Sequence, residues 1–142
     1  MASYFQGAIK SGDGFSQTNE GVGTAVFSQN ALINFDADLV QEAYFVLPVN
    51  AQIVDIIVDV LTAYNSATSA TLTVGTASAG TQYASGVDAK TEGRVRPTFT
   101  KAQLAAMDDI GTTTSVYATV TSVGQPTAGS VRFTVLYTGG SK

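Results

Sequence analysis

From about residue 24 onward, apolar and polar side chains alternate in short runs, the period of an extended chain with every second residue facing a core. Runs of this kind predict strands at 24–28, 31–35, 42–47 (closed by Pro48), 52–62, 70–76, 81–84, 115–122 and 130–138. The clearest is 52–62. Its even positions Val54, Ile56, Val58 and Val60 form an unbroken β-branched face, predicted to be buried. Its odd positions mix Ile53, Ile57 and Leu61 with Asp55 and Asp59 and are predicted to be partly wet. Burying the four β-branched side chains contributes about 6–12 kcal/mol before chain entropy is subtracted. A carboxylate in place of Val58 is therefore expected to prevent folding. Later runs set Leu72 and Val74, then Val116, Ala118 and Val120, then Val131, Phe133, Val135 and Tyr137 on inward faces.

One segment departs from this period. Thr100 followed by Gln103 is a capping box, with Thr100 at the N-cap and Gln103 at N3. It predicts a helix over 101–107 with Leu104 and Met107 on one face and Gly111 as a stop. About eight short strands, turns rich in Gly, Asn and Pro, and a single inserted helix predict an all-β fold. The expected architecture is an antiparallel β-sandwich of jelly-roll-like form.

Residues 1–23 do not alternate. They are rich in Gly, Ser and Gln and carry Tyr4, Phe5, Ile9 and Phe15 at no regular spacing. Those large apolar groups are too many for a purely solvating tail. The segment is expected to be an extended N-terminal arm that docks these side chains on a neighbouring subunit. A frayed terminus, or an arm folded back over its own sheet, stands as the alternative. The division expected is thus an arm at 1–23 and a single sandwich domain at 24–142. The first residues lack the basic and apolar segments of a secretory signal. The apolar stretch near 53–61 is cut by Asp55 and Asp59 and is too short to span a bilayer. A soluble protein with no membrane partner is expected.

Composition narrows the chemistry. The chain has no histidine, cysteine or tryptophan. The commonest general base and metal ligand and the usual soft nucleophile are therefore missing, as are disulfides and Cys-ligated metals. Charged residues make up 13% of the 142 positions, about half the usual ~25%, beside an ordinary 44% apolar content. The resulting Thr/Ser/Gly/Asn/Gln surface is cheap to desolvate against a neighbour, which suits a packed assembly and equally a plain β domain. The net charge of −4 argues against direct nucleic-acid binding.

No constellation replaces the missing groups. Asp55 and Asp59 lie on one face of one strand, roughly 13 Å apart, beyond the ~5–9.5 Å of paired glycosidase carboxylates. They are expected to be solvated strand charges that discourage stray edge pairing. Asp36, Asp38 and Glu42, and separately Asp108 and Asp109, lack the spacing of a Ca²⁺ loop and are expected in turns. Gly12-Asp13-Gly14 and Gly21-Val22-Gly23 lack a third glycine, and no Gly-Lys-Ser/Thr or Ser-x-x-Lys occurs. The reading is of a protein that is not an enzyme, with no catalytic residue, metal, cofactor or small-molecule substrate. Cations are uneven: Lys90, Arg94, Arg96 and Lys101 are four of the seven and fall in 90–101, opposed there by Glu92 alone. This run is expected to meet an acidic surface on a partner, with a solvated loop as the alternative.

Several stretches carry a resemblance. Phe45-Val46-Leu47-Pro48 ends a strand, and Val49-Asn50-Ala51 leads into Gln52-Ile53-Val54-Asp55. Leu72-Thr73-Val74-Gly75-Thr76, Gly86-Val87-Asp88-Ala89-Lys90 and Gly129-Ser130-Val131-Arg132-Phe133-Thr134-Val135-Leu136-Tyr137 follow. From about residue 42 to 138 this composition and strand spacing resembles the small virion proteins of tailed bacteriophages, in particular capsid decoration (cement) proteins with a jelly-roll fold. The resemblance implies a structural protein, made in the host cytoplasm, that binds the outer surface of a phage capsid. There it would bridge subunits of the major capsid protein, often as a homotrimer, with the arm reaching onto capsid or a sister protomer. A phage fibre or head-surface module binding host glycan or receptor is the competing reading; lacking Trp, it would rely on Tyr64, Tyr83 and Tyr117 as stacking surfaces.

Overall fold

The computed structural model describes residues 25–113 and 115–139. The expected arm, with Tyr4, Phe5, Ile9 and Phe15, lies outside the described residues. The elements in chain order are β1 (Phe27–Asn34), β2 (Val40–Val46), β3 (Gln52–Thr62), β4 (Ser69–Gly75), β5 (Ala84–Asp88), β6 (Gly93–Val95), α1 (Lys101–Asp108), β7 (Ser115–Val123) and β8 (Ser130–Thr138). They form two four-stranded sheets, ordered β1-β8-β3-β6 (sheet A) and β2-β7-β4-β5 (sheet B). Every pair is antiparallel. The pairs β1·β8, β2·β7, β3·β6 and β4·β5 are nested about the β4–β5 turn, so the chain is one long hairpin rolled up until β8 also meets β3 and β7 meets β4. This is the antiparallel β-sandwich that the alternation predicts.

Three expectations about the strands change. The runs at 24–28 and 31–35 are a single strand, because Gln29 and Asn30 pair with Val135 and Thr134 instead of turning. The strand expected at 81–84 lies at Ala84–Asp88, where it can pair with β4. β6, inside the basic run, is too short to show a period of its own and exists through its pairing with Val58–Val60 of β3.

The largest correction concerns β3. Ile53 pairs with Tyr137 and Asp55 with Leu136, leaving Val54 as an extra residue. A bulge of this kind switches the face on which later residues fall. Ile53, Ile56, Val58 and Val60 therefore face the core, and Val54, expected to be buried, is 46% exposed. Helix α1 begins as expected: Thr100 Oγ1 accepts from Gln103 N and Gln103 Oε1 accepts from Thr100 N. Its buried residues are Gln103 and Met107, one turn apart. Leu104, expected on that face, is instead 52% exposed.

Between the sheets Phe45 of β2 stacks on Phe133 of β8 with ring centroids 5.3 Å apart. Ile56, Val58, Leu72, Val74, Val116, Val120, Val131 and Val135 fill the layer around them. At one end Tyr64 is buried against the backbone of Gly129, where an added Cβ would lie 2.6 Å from the tyrosine ring at a φ of +155°. A Gly129→Ala substitution meets both backbone strain and a clash. It is expected to lower the unfolding free energy by about 2 kcal/mol or more in urea denaturation. An unchanged midpoint would show that the Tyr64 contact relaxes freely.

Candidate interaction surfaces

The outer face of sheet A carries a charge ladder built by strand register. Asp59 of β3 lies opposite Arg94 of β6 on one side and Arg132 of β8 on the other. Arg94 Nε donates to Asp59 Oδ1 at 2.6 Å, and Arg132 Nη2 to Oδ2 at 2.8 Å. Arg94 Nη2 and Arg132 Nε add further bonds to Oδ2. Under these two groups Asp59 is only 7% exposed, which corrects the expectation of a solvated strand charge. The Arg94 hydrogen bond, then that of Arg132, overcomes the cost of burial and holds the Asp59 carboxyl at about 2, below its ordinary 3.8. Four residues before Asp59 on β3, Asp55 Oδ2 accepts from Arg96 Nη1 at 2.9 Å, while Asp55 Oδ1 accepts from Ile56 N. The arginine side chains remain 44–65% exposed. With three arginines against two aspartates, the ladder keeps one net positive charge on an acidic chain.

The basic run thus divides. Arg94 and Arg96 stand on the ladder, joined by Arg132 from a distant part of the chain. Lys90 is half-buried, its ammonium donating to the Ser66 carbonyl and its backbone N–H to Asp88 Oδ1. Lys101 is exposed on the first turn of α1. Arg132 is the member that sequence reasoning missed. Its signal was a single cation on the polar side of the 130–138 alternation, and that side gains meaning only once β8 is known to lie beside β3.

A second surface lies on sheet B, whose outer strand β2 turns Val40, Glu42, Tyr44 and Val46 away from the core. Tyr44 and Val46 are each 60% exposed and Val40 46%. Tyr117 of β7 lies opposite Tyr44 in the ladder, and the two rings stack at 5.4 Å. Of the tyrosines expected as sugar-stacking surfaces, Tyr64 and Tyr83 are 1% and 2% exposed and belong to the core. Burial, together with the Asp36 charge, pushes the Tyr64 hydroxyl up to about 12. Farther along sheet B the loop after β4 covers Thr119, whose Oγ1 accepts from Ala79 N.

Of the other carboxylates expected in turns, Asp36, Asp38 and Asp109 lie in them, whereas Glu42 stands on strand β2, paired with Thr119 and facing outward. Asp36 Oδ1 accepts from Asp38 N and Gln41 Nε2, and Asp109 Oδ1 accepts from Gly111 N and Asn50 Nδ2. Asp108 accepts from Gln52. Such Asx geometry is how short acidic side chains close loops.

No protein-family model matches the chain, and no curated protein matches it. Among solved structures, a chain of the cyanophage Pam1 capsid asymmetric unit aligns over 97% of this chain and 97% of its own length, with a TM-score of 0.51 and 22% identity. That likeness establishes a shared fold across nearly the whole chain.

The ladder sets a pH signature. A carboxyl held below its unfolded value stabilises the fold above about pH 4 and loses that contribution as pH falls toward about 2. Asp88, lowered by the Thr91 hydroxyl and the Lys90 amide, contributes in the same direction. Asp59→Asn is expected to lose about 1–3 kcal/mol at pH 7. Its urea midpoint should also fall less steeply than that of the parent between pH 4 and 2. Parallel curves for the two proteins would remove Asp59 from the acid transition.

Proposed function

We propose that this protein is a structural component of a phage virion that binds the outer capsid surface and stabilises it by bridging neighbouring subunits of the major capsid protein. The observation that carries the reading is the end-to-end fold likeness to a chain of the Pam1 capsid asymmetric unit. The physical character of the chain supports it. The ladder on sheet A offers outward guanidinium groups held in fixed positions by Asp59 and Asp55, suited to carboxylates on a partner. Lys90, Lys101 and the arm residues Tyr4, Phe5, Ile9 and Phe15 complete the proposed contact set. Work of this kind needs contact area and no catalytic group, and homotrimeric assembly would multiply a modest contact through avidity.

A second reading rests on the stacked Tyr44–Tyr117 pair, in which Tyr44 is exposed and Tyr117 half-buried. Stacked rings on a sheet face suit sugar recognition, so a glycan- or receptor-binding head-surface module is the alternative. It predicts glycan binding that disappears in Tyr44→Ser.

The virion reading predicts that purified protein co-sediments with expanded, undecorated capsids. Deleting residues 1–23 is expected to weaken that binding, and Arg96→Ala to weaken it while changing the unfolding free energy by no more than about 1 kcal/mol. Light scattering should find a trimer in solution or on the shell. A protein that never associates with capsids in any maturation state would overturn the proposal.

A further inference from the structure

β2 pairs with β7 on one side and forms the outer edge of sheet B on the other. Outward from it project Val40, Tyr44 and Val46, with Glu42 as the one charge among them. Nothing among the described residues covers this apolar stripe, and an uncovered edge strand with apolar side chains is a hazard that proteins ordinarily manage.

The place where the described chain begins identifies an occupant. Gln29 of β1 donates to the Val46 carbonyl at 3.1 Å and to the Tyr137 hydroxyl at 3.3 Å. The start of β1 therefore lies against the end of β2 that bears Val46 and Tyr44. Ala25 is four residues before Gln29, about 13 Å of extended chain, and Val26 beside it is 54% exposed. The 24 residues preceding Ala25 thus join the sandwich next to the stripe. Their extended reach, about 80 Å, far exceeds the roughly 23 Å of β2. They contain Tyr4, Phe5, Ile9 and Phe15, with Lys10 beside Ile9 as a counter-charge for Glu42.

We propose that in the free protein residues 1–24 dock on the outward side of β2 of the same molecule, setting their apolar side chains against Tyr44, Val46 and Val40. Tethering this close to the stripe gives an effective concentration of about millimolar, so weak apolar contacts suffice where a free peptide would not bind. This inference concerns the isolated chain and does not depend on the capsid reading.

Lys10 makes the test direct, because it is the only Lys or Arg in residues 1–24. Trypsin cleavage after Lys10 should be about ten-fold or more slower in the parent than in a Tyr44→Ser/Val46→Ser variant. A Phe5→Ser/Ile9→Ser variant, which leaves the sandwich untouched, should be cleaved as fast as the β2 variant. Both should remain uncut at Arg132 within β8, separating loss of docking from unfolding. The protection should not change between about 1 and 100 µM protein, as an intramolecular contact requires. Equal cleavage rates in all three proteins would overturn the proposal. Protection that grows with concentration would overturn it too, by assigning the contact to a second copy.

Discussion

One extra residue in β3 governs sheet A. Without the bulge at Val54, a strand that buried Ile53 would also bury Asp55 and Asp59, because side chains alternate with a strict period of two. The bulge lets Ile53, Ile56, Val58 and Val60 all reach the core while both aspartates emerge on the outside. The inward row then matches Tyr137, Val135, Phe133 and Val131 of β8, residue for residue. Phe133 in that row meets Phe45 from the other sheet, so the closure of the sandwich follows from the same register.

The charge ladder is a consequence of that register. Arg94, Asp59 and Arg132 lie in one cross-strand row, and Arg96 and Asp55 sit beside it. Two guanidinium groups on one carboxylate remove most of its contact with water, yet their own outer surfaces remain exposed. A buried carboxylate with one partner would be costly, whereas two hydrogen-bonded cations satisfy it and leave net positive charge facing out. The ladder also ties the three-residue strand β6 to the sheet through side chains, where backbone pairing alone is short.

The two outer faces differ in character, and the difference bears on how the protein could assemble. Sheet A presents ordered charge, suited to fixing register against an acidic partner. Sheet B presents the Tyr44–Tyr117 stack and the aliphatic edge of β2, suited to burying area. Among the described residues, these two outer faces carry the ion-pair ladder and the stacked tyrosine pair.

Much of the fold was legible in the linear pattern. Strands β3, β7 and β8, the antiparallel sandwich and the Thr100–Gln103 capping box follow from alternation and local hydrogen bonding, which act over a few residues. The paucity of catalytic side chains was equally plain in the composition. What the tertiary structure alone decided depends on pairing between distant segments. The bulge at Val54, the merging of two predicted runs into β1, the existence of β6 and the recruitment of Arg132 to Asp59 have no local signature. Nor does the fate of the tyrosines: Tyr64 and Tyr83 are taken into the core while Tyr44 is left outside, because burial is set by which strands face each other across the sandwich. Sequence determines the period of each strand, but the face it turns to water is settled only when its neighbour's register is in place.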